Sequence, residues 1–252
     1  FDPQAHVLTL YASHDHALTR LQDLASTRGL HLDVRFCGSV DAIRALNEGR
    51  CVMAGFHTRS QPDSGGITAS HYRPLLKPGL HKVMGFAQRQ MGLMVAPGNP
   101  MGLTNLADVV HTQARFARRA QGTGTEVLLQ ELMSEQGLSV PQLHSLPFEE
   151  PSHSAVAATV AAGQADVGLG LAWAAQQRGL GFVPLAQEHY RLVCLKSALD
   201  SPAVLALRAF LATPEWCQQL ASWVGYADDQ GGEVQSLRAL FPWWQLGPRR
   251  KG

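Results

Sequence analysis

Along the first sixty residues, short apolar runs alternate with amphipathic ones, and small polar turns separate them. "HVLTLYA" (6–12) has the pattern of a strand, and "HALTRLQDLASTRG" (16–29) that of a helix with Leu18, Leu21, Leu24 and Ala25 on one face. "LHLDVRFCG" (30–38) alternates as a strand, "SVDAIRALNEG" (39–49) is a helix closed by Gly49, and "CVMAGF" (51–56) is a third strand. Strand, turn and helix in repetition leave helices to cover a sheet. The pattern therefore predicts an α/β fold with a parallel-rich sheet and helices on both faces.

The alternation continues downstream. The polar, Gly-rich stretch from His57 to His71 reads as loop, and "HKVMGFAQRQMGLMVAPGNP" (81–100) as one long strand or two, ended by the "PGNP" turn. A helix "LTNLADVV", a strand "ARFAR" and a loop "RAQGTG" lead into the helix "TEVLLQELMSEQG". Beyond them come helical "SHSAVAATVAAG" (152–163), strand-like "ADVGLGL", helical "LAWAAQQRG" and the strand "YRLVCLK" (190–196). The helices "SPAVLALRAFLA" and "TPEWCQQLASWVG" follow, and "FPWW" (241–244) is assigned to core packing of the terminal element. A chain of 252 residues can form one large domain or two lobes.

A formal net charge of +1 argues against a dedicated nucleic-acid surface, and the basic tail "PRRKG" (248–252) reads as a solvated terminus. Cys37, Cys51, Cys194 and Cys217 lack close spacing. Cys37 and Cys194, in or beside apolar runs, read as buried free thiols, which favours a reducing compartment. The sequence contains no charged n-region followed by an apolar h-region, and no run of about 18 apolar residues. Its start at Phe1, without an initiator Met, fits a processed or a dissected domain.

In open α/β sheets ligands bind outside the carboxyl ends of the strands, where helices begin. Four such starts here carry small polar residues: Ser13, Gly38–Ser39, Gly122-Thr123-Gly124-Thr125 and Ser152-His153-Ser154. An N-cap accounts for any one of them, but four together describe a pocket for a small anion, met by backbone N–H groups and helix dipoles. In "RRAQGTGTEVLL" (118–129) glycines allow close backbone approach and Thr123 and Thr125 add hydroxyls. Arg118 and Arg119 add positive potential there, one of them as a surface charge; Arg118 is assigned to the site. Neither GxxxxGK[ST] nor GxGxxG is present, which removes nucleoside triphosphate and dinucleotide readings.

"YASHDHAL" (11–18) offers Ser, His and Asp side by side. Adjacent residues of an extended segment point to opposite faces, so Ser13, His14 and Asp15 do not converge as a triad. No GxSxG elbow, HExxH or CxxC occurs, so neither catalytic nor metal-ligating residues are assigned. At the carboxyl end of the first strand, Ser13 or Asp15 caps the helix, and Ser13 or His14 faces the cleft.

"GSVDAIRALNEGRCVMAGFH" (38–57), "QMGLMVAPGNPMGLTNLADV" (90–109), "ARRAQGTGTEVLLQELM" (117–133) and "EEPSHSAVAATVAAGQADVGLG" (149–170) stand in order, with "SPAVLALRAFLATPEWCQQLASWVGY" closing the set. Together they resemble the molybdate-binding-protein-like domain of the type II periplasmic-binding-protein superfamily. That domain often forms the C-terminal effector half of bacterial transcriptional regulators with an N-terminal helix-turn-helix. The resemblance implies two α/β lobes joined by two crossing strands around a ligand cleft. The crossings fall near 86–92 and 187–193, giving a discontinuous lobe of 1–87 plus 190–252 and a second of 88–189. Carried onto this chain, the pocket comprises Ser13 with its neighbour His14, Ser39, His57, Gly122, Thr123, Gly124, Thr125, His153 and Ser154.

Further implications are a small-anion ligand, molybdate or another, with no cofactor and no membrane span, in a cytoplasmic regulator that reaches DNA only through a region outside this chain. A homo-oligomer is compatible with it. The alternative is an extracytoplasmic substrate-binding protein of an ABC transporter for the same ligand class. One position departs from the family: Glu126 stands where Arg commonly follows the glycine loop. A carboxylate there suits the helix dipole but repels an oxyanion. Either it pairs with Arg118 or Arg119, or the ligand carries a positive group.

Overall fold

In the computed structural model, which describes residues 6–60 and 66–244, the chain forms one mixed sheet flanked by helices. In order the elements are β1 (His6–Ala12), α1 (His16–Ser26), β2 (Leu30–Phe36), α2 (Ser39–Asn47), β3 (Met53–Arg59), α3 (Ile67–Tyr72) and β4 (His81–Val95). Then follow α4 (Leu106–Thr112), β5 (Arg115–Arg119), α5 (Gly124–Glu135), β6 (His144–Glu150), α6 (His153–Ala161), β7 (Val167–Leu171) and α7 (Ala172–Gln177). The chain closes with β8 (Gly181–Leu195), α8 (Pro202–Leu211), α9 (Pro214–Ala221), β9 (Tyr226–Asp228), β10 (Val234–Ser236) and α10 (Leu237–Leu240). The basic tail, the Phe1 start and residues 61–65 of the expected 57–71 loop lie outside the described residues. Either side of 61–65, that stretch is more ordered than expected: β3 runs to Arg59, and α3 begins at Ile67.

Strand order is β2-β1-β3-β8-β4-β7-β5-β6, with β9 and β10 also on β4. The expected parallel-rich sheet is corrected here. Pairing is parallel only towards the two ends, β1 with β2 and β3, and β5 with β6 and β7. At the centre β3–β8, β4–β8 and β4–β7 are antiparallel. The cause is that β4 and β8, each 15 residues long, pair along their lengths and serve both ends of the sheet. The 81–100 segment is thus one long strand, and β8 begins well before the expected Tyr190.

A large apolar cluster runs through both ends, from Leu8, Leu10 and Leu18 to Phe116, Leu129 and Val156. A smaller one beneath α2 and α3 takes in Ile43, Phe56 and Tyr72, where Phe241 stacks on Trp243 at 4.2 Å, so the "FPWW" segment is core. All four cysteines are free; Cys51 and Cys194 are buried, whereas Cys37, just past the end of β2, is only half-buried. No helix among the described residues is long and apolar enough to cross a membrane.

Candidate functional site

Local capping chemistry sets the starts of the helices around the cleft. The Asp15 carboxylate caps α1, its Oδ1 accepting from the Ala17 amide at 2.7 Å. Thr123 caps α5 by accepting from the Glu126 amide at 3.2 Å, and Ser152 caps α6 by accepting from Ala155 at 3.0 Å. Of the residues in "YASHDHAL", Ser13 lies against Ser39 (3.4 Å between hydroxyl oxygens), exposed His14 against Phe36, and Asp15 turns inward. Their divergence is the one expected of consecutive residues on an extended segment.

Asp15 also anchors a buried ionic chain. Its Oδ2 accepts from Arg89 at 2.6 Å and from the Tyr226 hydroxyl at 2.9 Å. Arg89 donates its other terminal nitrogen to Glu188 at 2.9 Å, and the second Glu188 oxygen lies 2.7 Å from Nδ1 of His57. Arg89 and Glu188 are direct partners on β4 and β8, so the chain crosses the two central strands. Burial alone would push the Glu188 carboxyl up, but His57 and Arg89 outweigh it and hold it below the ordinary carboxylate value.

The two ends of the sheet meet around this chain. Gly38 packs on Gly122, whose carbonyl accepts from the Val40 amide at 3.4 Å, and a side chain on Gly38 would collide there. Gly122 has φ +83°, a left-handed conformation that glycine adopts freely. The His57 ring lies so close to Gly124 that any Cβ at 124 would strike it. Arg59 of β3 ion-pairs with Glu131 and Glu135 of α5, and Thr68 bonds to Glu131. On the opposite flank His16 stacks on Trp173 of α7 at 3.8 Å and 11°.

Arg118 and Arg119 take opposite sides of β5. Arg118 pairs with Glu126 and lines an outer groove with Ile67 and Gln130; of the two expected partners for Glu126 it is the one observed. Arg119 turns inward and is only 6% exposed. It donates to the Pro151 carbonyl at 3.1 Å, just ahead of the α6 cap, and has no carboxylate partner among the described residues. Burial and the nearby Arg89 push its guanidinium down to about 10. His153, 4% exposed, leaves Nδ1 without a partner, and burial together with Arg119, Arg89, His57 and His14 drives its imidazole well below the ordinary value.

Of the assigned residues, Ser13, Ser39, His57, Thr123, Thr125 and His153 are buried at these junctions, with Gly122 and Gly124 at the contacts. Ser154 is exposed but lines a cavity with His14 and His153 between the starts of α1, α6 and α7. Arg119, Arg89, Glu188 and Tyr226 were not assigned. Only Arg119 had a sequence signal, its place beside the glycine loop.

Neutral buried histidines have a stability consequence. His57, too, is held below its ordinary value by burial. Below about pH 6.5 the unfolded chain binds protons that the folded chain refuses, so stability falls as pH drops from about 7 towards the folded values. The slope approaches about 1.4 kcal/mol per pH unit for each such histidine. Denaturant melts between about pH 7.5 and 5.5 should show this loss, and His153→Gln should make it shallower.

A family model described as PBP superfamily domain matches residues 21–212. Among curated proteins, the "Uncharacterized protein YvgK" of Bacillus subtilis (strain 168) is 26% identical over 200 residues, covering 79% of this chain. This chain spans 64% of that relative's length. A putative phosphate ABC transporter substrate-binding protein with bound phosphate, from Clostridium perfringens, has a similar structure at TM-score 0.65 and 11% identity, with 89% of this chain and 100% of that one covered. The effector-binding domain of QuiR in complex with shikimate is similar at TM-score 0.59 and 13% identity, covering 82% and 95%. The ordered motifs, the two long shared strands and the match over residues 21–212 agree: this chain belongs to the PBP superfamily domain family, a group of two-lobed ligand-binding domains.

Proposed function

We propose that the chain is a non-catalytic sensing domain that encloses a small anion, an oxyanion such as molybdate or tungstate or a small carboxylate. The observation that carries this reading is Arg119, a buried guanidinium with no carboxylate partner among the described residues, beside the start of α6. A buried charge is costly unless something of opposite sign meets it, and an anion at the N-terminus of a nine-residue helix is a natural counterpart. Structural neighbours holding phosphate and shikimate fit the same reading. The lobes we assign, 1–87 plus 190–252 and 88–189, divide β4 and β8 beside Arg89 and Glu188, which sets the ionic chain at the crossing. Closure around the anion would bias a DNA-binding region outside this chain, in a cytoplasmic regulator, provided the ligand binds the closed form more tightly.

A melting screen against molybdate, tungstate, sulfate, phosphate and small carboxylates tests the reading. A ligand at about 100 times its Kd adds about 2.7 kcal/mol of apparent stability. If no anion stabilises the protein up to millimolar concentration, the proposal fails.

A further inference from the structure

We infer that anion binding is coupled to the uptake of a proton by His153, so that the protein holds its ligand more tightly as pH falls. This rests on the anion-binding reading above and adds a regulation to it. Between the starts of α1, α6 and α7 lies a cavity of about 150 Å³, space for a small anion. Three imidazoles line it. His14 and His16 come from the turn into α1, with Asp15 and Thr19, and His153 comes from the first turn of α6, with Ser154. Leu171, Trp173 and Ala174 complete the wall. Ser152 caps α6, which is nine residues long, and the first amides of a helix have no partner within it. His153 is 4% exposed, and its buried Nδ1 has no hydrogen-bond partner among the described residues.

The groups around His153 supply positive charge and no free carboxylate. Arg119 comes from β5, Arg89 from β4, His57 from β3 and His14 from the turn into α1, and each adds to burial in holding the imidazole neutral. From β7 and α7 come only Gly170, Leu171, Trp173 and Ala174, which carry no charge. Asp15, the carboxylate on the cavity, already accepts from the Ala17 amide, Arg89 and the Tyr226 hydroxyl. Glu188 is taken by Arg89 and His57, and Glu150 by Thr159 further along α6. No carboxylate among the described residues pairs with His153. Its imidazolium is therefore unmet in the free protein and met when an anion enters the cavity it lines. A negative charge within about 4–6 Å favours the charged form of an imidazole. By reciprocity, the bound proton strengthens anion binding by the same factor.

Calorimetric titration with sulfate, molybdate, phosphate and acetate, in buffers of different ionisation heat, counts the protons taken up. His153→Gln is the reference, because any proton the anion itself gains or loses cancels between the two proteins. At about pH 6.5 the wild type should take up about half a proton or more beyond His153→Gln. Its affinity for the anion that binds should rise at least about 3-fold between about pH 7.5 and 6.5. In His153→Gln only the anion's own titration should remain. An equal proton count in the two proteins overturns the assignment to His153 and leaves the anion reading standing. If the variant does not fold or does not bind, the wild type decides alone: sulfate, molybdate and acetate carry no proton to exchange at that pH, and binding without uptake overturns the assignment. Binding of none of the four overturns both.

Discussion

Arg89→Met should destabilise the protein by about 3–5 kcal/mol, the range seen when one partner of a buried ion pair is removed. Arg89 is 1% exposed, and its two terminal nitrogens satisfy Asp15 and Glu188, themselves 1% exposed. Methionine preserves much of the length but leaves two carboxylates facing each other without a cation. Guanidinium unfolding at pH about 7 is the measurement. Because the cost comes from stranded charge, Arg89→Met combined with Glu188→Gln should be less unstable than the sum of the two single changes. Additive losses would mean that the chain of contacts from Asp15 to His57 is not acting as a unit. A loss below about 1 kcal/mol would remove Arg89 as the element that locks the two central strands.

Arg119→Met should act in the opposite direction on stability and abolish the ligand response. Its charge is buried without a counter-ion among the described residues, and burial has already pushed its guanidinium down to about 10. Replacing it with an apolar side chain of similar length removes that cost, so the variant should melt at or above the wild-type temperature. Losing a buried charge contact to a ligand costs about 2–5 kcal/mol, so anion affinity should fall by roughly 30-fold to several thousand-fold. Titration and melting on the same preparation read both effects. An unchanged affinity would place the anion elsewhere; a large drop in melting temperature would make Arg119 a structural residue.

Features resting on neighbouring residues were legible in the sequence, and those resting on distant ones were not. Asp15, Thr123 and Ser152 cap helices through bonds to amides two or three positions on, so a local window contains the whole interaction. The α/β alternation was readable for the same reason, whereas "FPWW" read as core from its apolar composition, with its partners Phe56 and Tyr72 far away in sequence. Arg89, by contrast, finds Asp15 and Glu188 across 74 and 99 positions, and His57 finds Glu188 across 131. Nothing near Arg89 in sequence distinguishes it from a surface arginine. The opening of β8, "GFVPLAQEH", lacks an apolar alternation, and β9 and β10 are three residues each, so periodicity had little to register. Arg118 and Arg119 carry the same local signal. Which one enters the cleft depends on strand parity, and one position reverses it.

The place of β8 in the sheet sets an order of assembly. During synthesis from the N-terminus, β1, β2 and β3 emerge early, but the inner neighbour of β3 ends at residue 195. The strands β4 to β7 complete their mutual pairings by Leu171. A nascent chain can therefore pair β1 with β2 and β3, and later β4 to β7 among themselves, but each set keeps an open inner edge until β8 arrives to join them.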